Sequence, residues 1–144
     1  MRDMTHRTAA ILVMIGGSLV AIGSLLPWLT ARTGFGSVSV MGTDGDGLFS
    51  LVGSVTVVLI AFVYMNRDAS RAVRALLTLG GLAGLLIVYT DYTLLQARIA
   101  AITSTLLVGS IGPGLYLIGI GCVVVIVGAL KMTEAATKAD APTP

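Results

Sequence analysis

The chain has 144 residues, of which 56% are hydrophobic and 11% are charged, and its formal net charge at pH 7 is +2. Because soluble globular proteins carry about a quarter charged residues, this composition indicates an integral membrane protein and speaks against a soluble domain. The small positive balance is explained by membrane topology, so we expect the lipid bilayer as a partner and no nucleic acid.

Four long segments without charge in their middle predict four transmembrane helices. A bilayer core about 30 Å thick needs roughly 17–25 helical residues, and Arg74 can extend the third segment because its long side chain can snorkel to the interface. Short connections make neighbouring helices antiparallel, so residues 1–131 are expected to form a single all-α, up-down four-helix bundle. The predicted helices comprise about residues 8–28, 47–65, 72–92 and 112–131.

The basic residues predict the orientation of this bundle. Seven of the nine lie in the two terminal segments and the middle loop, and only Arg32 and Arg98 lie in the first and third loops. The positive-inside rule therefore places both termini in the cytoplasm of a multi-pass plasma-membrane protein. Residues 132–144 are small and polar and include prolines, which predicts a disordered cytoplasmic tail.

The first outer loop alternates apolar and small polar residues in "FGSVSVMG". This period near two predicts a small extracytoplasmic β-hairpin that caps the bundle.

Trp28 is expected to follow Pro27 at the outer end of the first helix, where an aromatic residue suits the membrane interface. In the third loop, residues 91–102 contain no glycine or proline, so the helix can continue outward with Asp91 and Arg98 on one face. "GSIGPG" at residues 109–114 predicts the break before the fourth helix.

Glycines at regular spacing predict where the helices pack. In lipid, helix association depends on close backbone approach, which glycine permits. A spacing of seven residues suits a left-handed crossing, and a spacing of four suits a close right-handed contact. The seven-residue series are Gly16 and Gly23 in the first helix and Gly114, Gly121 and Gly128 in the fourth, and the four-residue pair is Gly80 and Gly84 in the third.

The sequence offers little catalytic chemistry. His6 is the only histidine and Cys122 the only cysteine, which together cannot form the usual zinc or haem ligand sets. Charged residues are absent from the middle of every predicted helix, where pumps and transporters normally place one. We therefore expect no enzyme activity, no catalytic residue and no cofactor.

The segment "GTDGDG" at residues 42–47 allows three interpretations. The preferred one is a glycine turn in which Asp46 caps the second helix. The second is an ion pair between an aspartate and Arg32 or Arg98 that ties the two outer loops together. The third is a cation site at Asp44 and Asp46, which resembles only the start of a calcium loop. The residues expected to form the outer interaction surface are Trp28, Arg32, Asp44, Asp46, Asp91 and Arg98.

Three motifs carry a family resemblance: "GSLLPWLT" at the end of the first helix, "GTDGDG" before the second and "SIGPGLYLIGIG" at the start of the fourth. In order and spacing they resemble small four-helix membrane proteins common in actinobacteria, most of them uncharacterised. The arrangement of four helices with an outer β-element is also similar to that of claudins. The claudin pattern of tryptophans and paired cysteines is missing, so this similarity concerns architecture only.

Two functional hypotheses follow. The first is a non-catalytic accessory or structural subunit of a larger membrane complex, of a respiratory or envelope-transport type, held by other integral membrane subunits or by self-association. The alternative is a stand-alone receptor, sensor or prophage immunity protein that recognises a partner through its outer loops. An enzyme or transporter is disfavoured by the missing ionisable residues within the helices.

Overall fold

The computed structural model describes residues 2–34, 36–45, 47–66, 69–102 and 107–139. Its main elements are four α-helices and a three-stranded antiparallel sheet, so the prediction of a mostly helical protein with four helices is confirmed. In chain order they are α1 (Arg2–Leu25), β1 (Pro27–Thr33), β2 (Gly36–Met41), α2 (Gly47–Val63), α3 (Arg71–Ile102), β3 (Leu107–Ile111) and α4 (Pro113–Ala139). Short 3₁₀ turns follow β2 at Gly42–Asp44 and α2 at Tyr64–Asn66.

Three of the helices are long and apolar enough to cross a membrane. The candidate spans Arg7–Leu25, Arg71–Ala101 and Pro113–Glu134 have mean hydropathies of 2.1, 1.9 and 2.3. The remaining helix, α2, is also apolar but has only 17 residues. That length is at the lower limit of what a bilayer requires.

Several helix ends differ from the prediction. α1 ends at Leu25 and not near residue 28, because Pro27 has no N–H group for a helix and instead opens β1. α3 continues to Ile102, because residues 91–102 contain no glycine or proline that would end the helix. α4 continues to Ala139, so residues 132–139 are helical and not part of a disordered tail. No glycine or proline interrupts that stretch. Residues 140–144 lie outside the described residues.

The helices form an open arrangement around a central pair. α1 packs along α4, α2 packs on α1, and α3 packs on α4. Within the described ranges α2 and α3 hardly touch, so a groove separates them where a closed bundle would bring them together. One buried cluster includes Val13, Leu77 and Val125, and a second, nearer the sheet, includes Trp28 and Ile118.

Glycines line the contact between α1 and α4. A Cβ atom added at Gly16 would lie 2.7 Å from the carbonyl oxygen of Gly121, and one added at Gly121 would lie 2.7 Å from that of Gly16. Gly23 and Gly114 face each other in the same way, with corresponding distances of 2.8 and 2.6 Å. Gly128 continues this glycine seam, since its added Cβ would lie 3.1 Å from the Ala9 carbonyl oxygen. The seven-residue spacing on both helices therefore belongs to one antiparallel interface.

The glycines of α3 behave differently from the prediction. Around Gly80 no described atom lies within 4 Å of an added Cβ, so this residue is not a packing contact. Its neighbour Gly81 faces Ile126 of α4 instead, at 2.6 Å from the added Cβ. Gly84 faces the Sγ atom of Cys122, also at 2.6 Å. The GxxxG spacing is present, but α4 approaches α3 from a direction that uses Gly81 and Gly84.

The sheet joins the loop between α1 and α2 to the loop between α3 and α4. Its order is β2-β1-β3, so the hairpin in the first loop is extended by a strand from the segment before α4. Ala31 of β1 pairs with Val38 of β2 on one side and with Gly109 of β3 on the other. The third strand was not predicted, because "GSIGPG" indicated only a break. The break itself begins at Gly112, whose N–H donates to the Trp28 carbonyl at 2.8 Å.

At the opposite end of the bundle, Arg74 ties α3 to α4. Its side chain is buried and donates from one terminal guanidinium nitrogen to the Met132 carbonyl oxygen at 3.2 Å. The sequence predicts a side chain that extends to an interface. In the structure it packs against α4, because this helix continues past residue 131 and presents the Met132 carbonyl oxygen to it.

Candidate functional site

A pocket of about 330 Å³ opens between the sheet, the 3₁₀ turn after β2 and the C-terminal part of α3. We call it the outer pocket, after the side of the bundle that the sequence predicts to face outward. It brings together four of the six residues expected on the outer surface, although they come from three separate segments of the chain. These four residues are Trp28, Asp44, Asp91 and Arg98.

The 3₁₀ turn Gly42–Asp44 positions the first carboxylate of the pocket. The backbone N–H of Met41 donates to Oδ2 of Asp44 at 3.1 Å, and the N–H of Gly45 donates to the Gly42 carbonyl at 3.1 Å. Gly42 also donates to the Leu26 carbonyl at 3.2 Å, which holds the turn against the end of α1. The aspartate therefore caps the turn that it belongs to, while its exposed carboxylate lines the pocket.

Trp28 supplies the apolar base of the pocket. Its side chain is 8% exposed, and its Nε1–H donates to the Gly23 carbonyl oxygen at 3.1 Å. An added Cβ at Gly42 would meet the indole ring, so the ring and the turn pack without space for a side chain between them. The tryptophan thus lies inside the fold at the start of β1, and not at the end of a helix in an aromatic belt.

α3 supplies the remaining charged groups. Asp91, Leu94, Leu95 and Arg98 recur at intervals of three or four residues and therefore lie on one face of this helix. α3 continues past Arg98, so Asp91 and Arg98 lie on one face of it as predicted, while the protrusion of this face from the membrane stays a prediction. Two carboxylates and one guanidinium around an apolar base provide partners for both positive and negative groups.

Arg32, another of the expected surface residues, stands apart from this pocket. Arg32 lies on β1, is exposed and does not line the pocket. Asp46 lies outside the described residues, so its role as a cap for α2 stays a prediction. In the described ranges, no group of three or more His, Cys, Asp or Glu side chains could hold a metal ion.

The pocket also contains residues that the sequence did not single out. They are the apolar lining residues Leu29, Val40, Met41, Leu94 and Leu95. Leu94 and Leu95 could have been found from their helical spacing between Asp91 and Arg98. Val40 and Met41 could not, because their position depends on how β2 pairs with β1.

Replacing Asp44 with alanine tests its capping role. The substitution removes the acceptor for the Met41 N–H. We expect a loss of about 0.5–1 kcal/mol, because the group is exposed and caps a short turn. Asp44→Asn keeps an acceptor oxygen and should lie near wild type. Thermal unfolding in detergent, followed by circular dichroism, measures both, and equal midpoints for alanine and wild type would contradict the role.

No protein-family model matches the chain, and no curated protein matches it.

Proposed function

We propose that the protein is a multi-pass plasma-membrane protein in which all four helices cross the bilayer and both termini face the cytoplasm. The three long apolar helices support this placement, and α2 can span with local thinning of the bilayer. The distribution of basic residues supports the orientation, which places the sheet and the outer pocket outside the cell. The motif resemblance supports a place among the small actinobacterial four-helix membrane proteins.

We propose further that it serves as a non-catalytic accessory subunit of a larger membrane complex, of a respiratory or envelope-transport type. The observation that carries this proposal is that few residues of α3 are buried within the chain. Only 11% of its candidate span is buried within the chain, compared with 44% for the spans of α1 and α4. α3 is also the longest helix, with 32 residues. Such a helix has free surface for the helices of other subunits.

The free surface has a defined face. Residues spaced by three and four positions on α3 form an exposed apolar stripe on the side away from α4, which we call the α3 stripe. Its residues are Leu79, Leu82, Leu86 and Tyr89, with exposed fractions of 64%, 51%, 64% and 67%. In lipid, shape-matched packing on such a stripe provides the association energy, since hydrophobicity alone does not drive helix pairing there.

Purification from the native membrane tests the proposal. We expect tagged wild-type protein to co-purify in mild detergent with larger membrane subunits. The double substitution Leu82→Ala and Leu86→Ala should reduce their recovery at least tenfold, because it removes the centre of the α3 stripe. The matched control is Val52→Ala and Val55→Ala on α2, which removes exposed apolar side chains elsewhere. Mass spectrometry of the eluates identifies and quantifies the subunits.

The outer pocket favours the second candidate function, a stand-alone receptor, sensor or prophage immunity protein. It gathers Trp28, Asp44 and Arg98 from distant parts of the chain on the side predicted to face outward. The same purification separates the two functions. Wild-type protein recovered alone as a monomer would contradict the accessory role and leave recognition through the outer pocket as the better proposal.

A further inference from the structure

The groove between α2 and α3 is elongated and apolar. Its volume is about 210 Å³, and its α2 wall extends from Phe49 to Val57. Eight residues of helix correspond to about 12 Å, so the groove follows the helix axes for about two turns.

The lining of the groove suits a hydrocarbon chain. It is almost entirely apolar, and α4 closes its base with Ile118 and Cys122. Ser54 is one of its few polar residues, and its hydroxyl is already satisfied by donating to the Leu51 carbonyl at 2.7 Å. Gly53 and Gly80 lie on opposite walls, and no described atom lies within 4 Å of a Cβ added to either. The space at these glycines is therefore open and apolar.

The same face of α3 continues from the groove into the outer pocket. Gly80, Gly84 and Ile87 line the groove, and Asp91, Leu94 and Arg98 line the pocket. Successive members of this series are three or four residues apart, so all six lie on one side of the helix. Ile87 and Asp91 are one turn apart, about 6 Å along the axis. The apolar groove is thus followed directly by a charged pocket.

We propose that the groove and the outer pocket form a single binding site for a zwitterionic phospholipid of the outer leaflet. One acyl chain lies in the groove between Gly53 and Gly80, and the headgroup lies in the pocket. The Arg98 guanidinium binds the phosphate, for which its planar donor fork is suited. The Asp44 carboxylate binds the ammonium group, since it is exposed and accepts the Met41 N–H through Oδ2.

This inference goes beyond the accessory role and uses a different part of α3. It shares with that role only the placement in a membrane. The α3 stripe of Leu79, Leu82, Leu86 and Tyr89 lies on another side of the helix, and none of its residues lines the groove. A lipid can therefore occupy the groove whether or not a partner subunit covers the stripe.

Native mass spectrometry of the purified protein tests the acyl-chain part. We expect wild type to retain one phospholipid after detergent exchange. Gly80→Leu should reduce retention at least tenfold, because the new side chain fills the groove. Gly53→Leu should act in the same way from the other wall. Val52→Leu is the matched control, because Val52 is adjacent on α2, exposed and outside the groove.

Folding is checked separately, by thermal unfolding. The open space at Gly80 and Gly53 predicts midpoints close to wild type for both leucine variants. Equal lipid retention by wild type and both folded leucine variants would overturn the proposal, as would a wild-type protein that retains no lipid. Recovery of partner subunits is measured in the same samples, so a failure of the accessory role is recognised independently.

Competition between two lipids tests the headgroup part. Detergent-exchanged protein is mixed with equal amounts of phosphatidylethanolamine and phosphatidylglycerol that carry the same chains. We expect wild type to bind the zwitterionic lipid at least tenfold more than the anionic one. Asp44→Asn should abolish this preference, and Arg98→Gln should weaken the binding of both lipids. No preference in wild type, or an unchanged preference in Asp44→Asn, would overturn the assignment of the headgroup to the outer pocket.

Discussion

Gly121→Ala is expected to destabilise the bundle by about 1–3 kcal/mol, although alanine is a better helix former than glycine. The added methyl group would lie 2.7 Å from the Gly16 carbonyl oxygen and 2.9 Å from the Val20 backbone nitrogen. Both neighbours are backbone atoms and cannot rotate away, so α1 and α4 must separate along the glycine seam. For a chain of this size, about 2 kcal/mol corresponds to a midpoint about 4–8 °C lower.

Gly119→Ala is the matched control on the same helix. There the added Cβ would lie 3.6 Å from Val88, an ordinary van der Waals contact. Both substitutions bring the same gain in helix propensity, so the difference between them isolates the cost of separating the helices. Thermal unfolding in detergent measures both variants. If their midpoints are equal, the close approach of α1 and α4 is not what stabilises this bundle.

Trp28→Ala is expected to have a comparable or larger effect, a loss of about 3–5 kcal/mol. The indole ring is nearly fully buried and contacts the regions around Gly42 and Gly114. Its removal leaves a cavity where α1, α4, the sheet and the 3₁₀ turn meet. The turn that carries Asp44 then loses the surface on which it packs, so the outer pocket should lose its shape as well.

Trp28→Phe separates the ring from its hydrogen bond. Phenylalanine keeps an aromatic ring but cannot donate to the Gly23 carbonyl, so a loss of about 1–2 kcal/mol is expected. Circular dichroism is the appropriate measurement, because Trp28 is the only tryptophan and its fluorescence disappears in both variants. A loss of less than about 1 kcal/mol in Trp28→Ala would contradict the central position of the ring, because truncating a buried aromatic side chain normally costs several times more.

The helices could be predicted from the sequence because their cause is local. An uncharged apolar segment of sufficient length forms a helix in almost any environment that lacks water. The ends were harder to predict. α1 ends before Pro27 because the chain there pairs as β1, and α4 continues past Lys131 because nothing in "MTEAATKA" interrupts it.

The sheet and the site depend on pairings between distant segments. β3 consists of only five residues, and it is a strand because Leu29–Thr33 of β1 lies beside it. The spacing of Asp91 and Arg98 predicts that they share a face, whereas their meeting with Asp44 and Trp28 requires the folded loops. Similarly, glycine spacing predicts two interfaces, but whether α4 meets Gly80 or Gly81 depends on the direction of its approach.

The pairing of α1 with α4 has a consequence for biosynthesis. α1 is synthesised well before its main partner α4, and β1 likewise pairs with β3, which is synthesised much later. Until α4 is synthesised, the glycine-rich face of α1 lacks the helix on which it packs. Native contacts of such long sequence separation form late, so a nascent chain truncated before Pro113 should remain loosely assembled and accessible to membrane proteases.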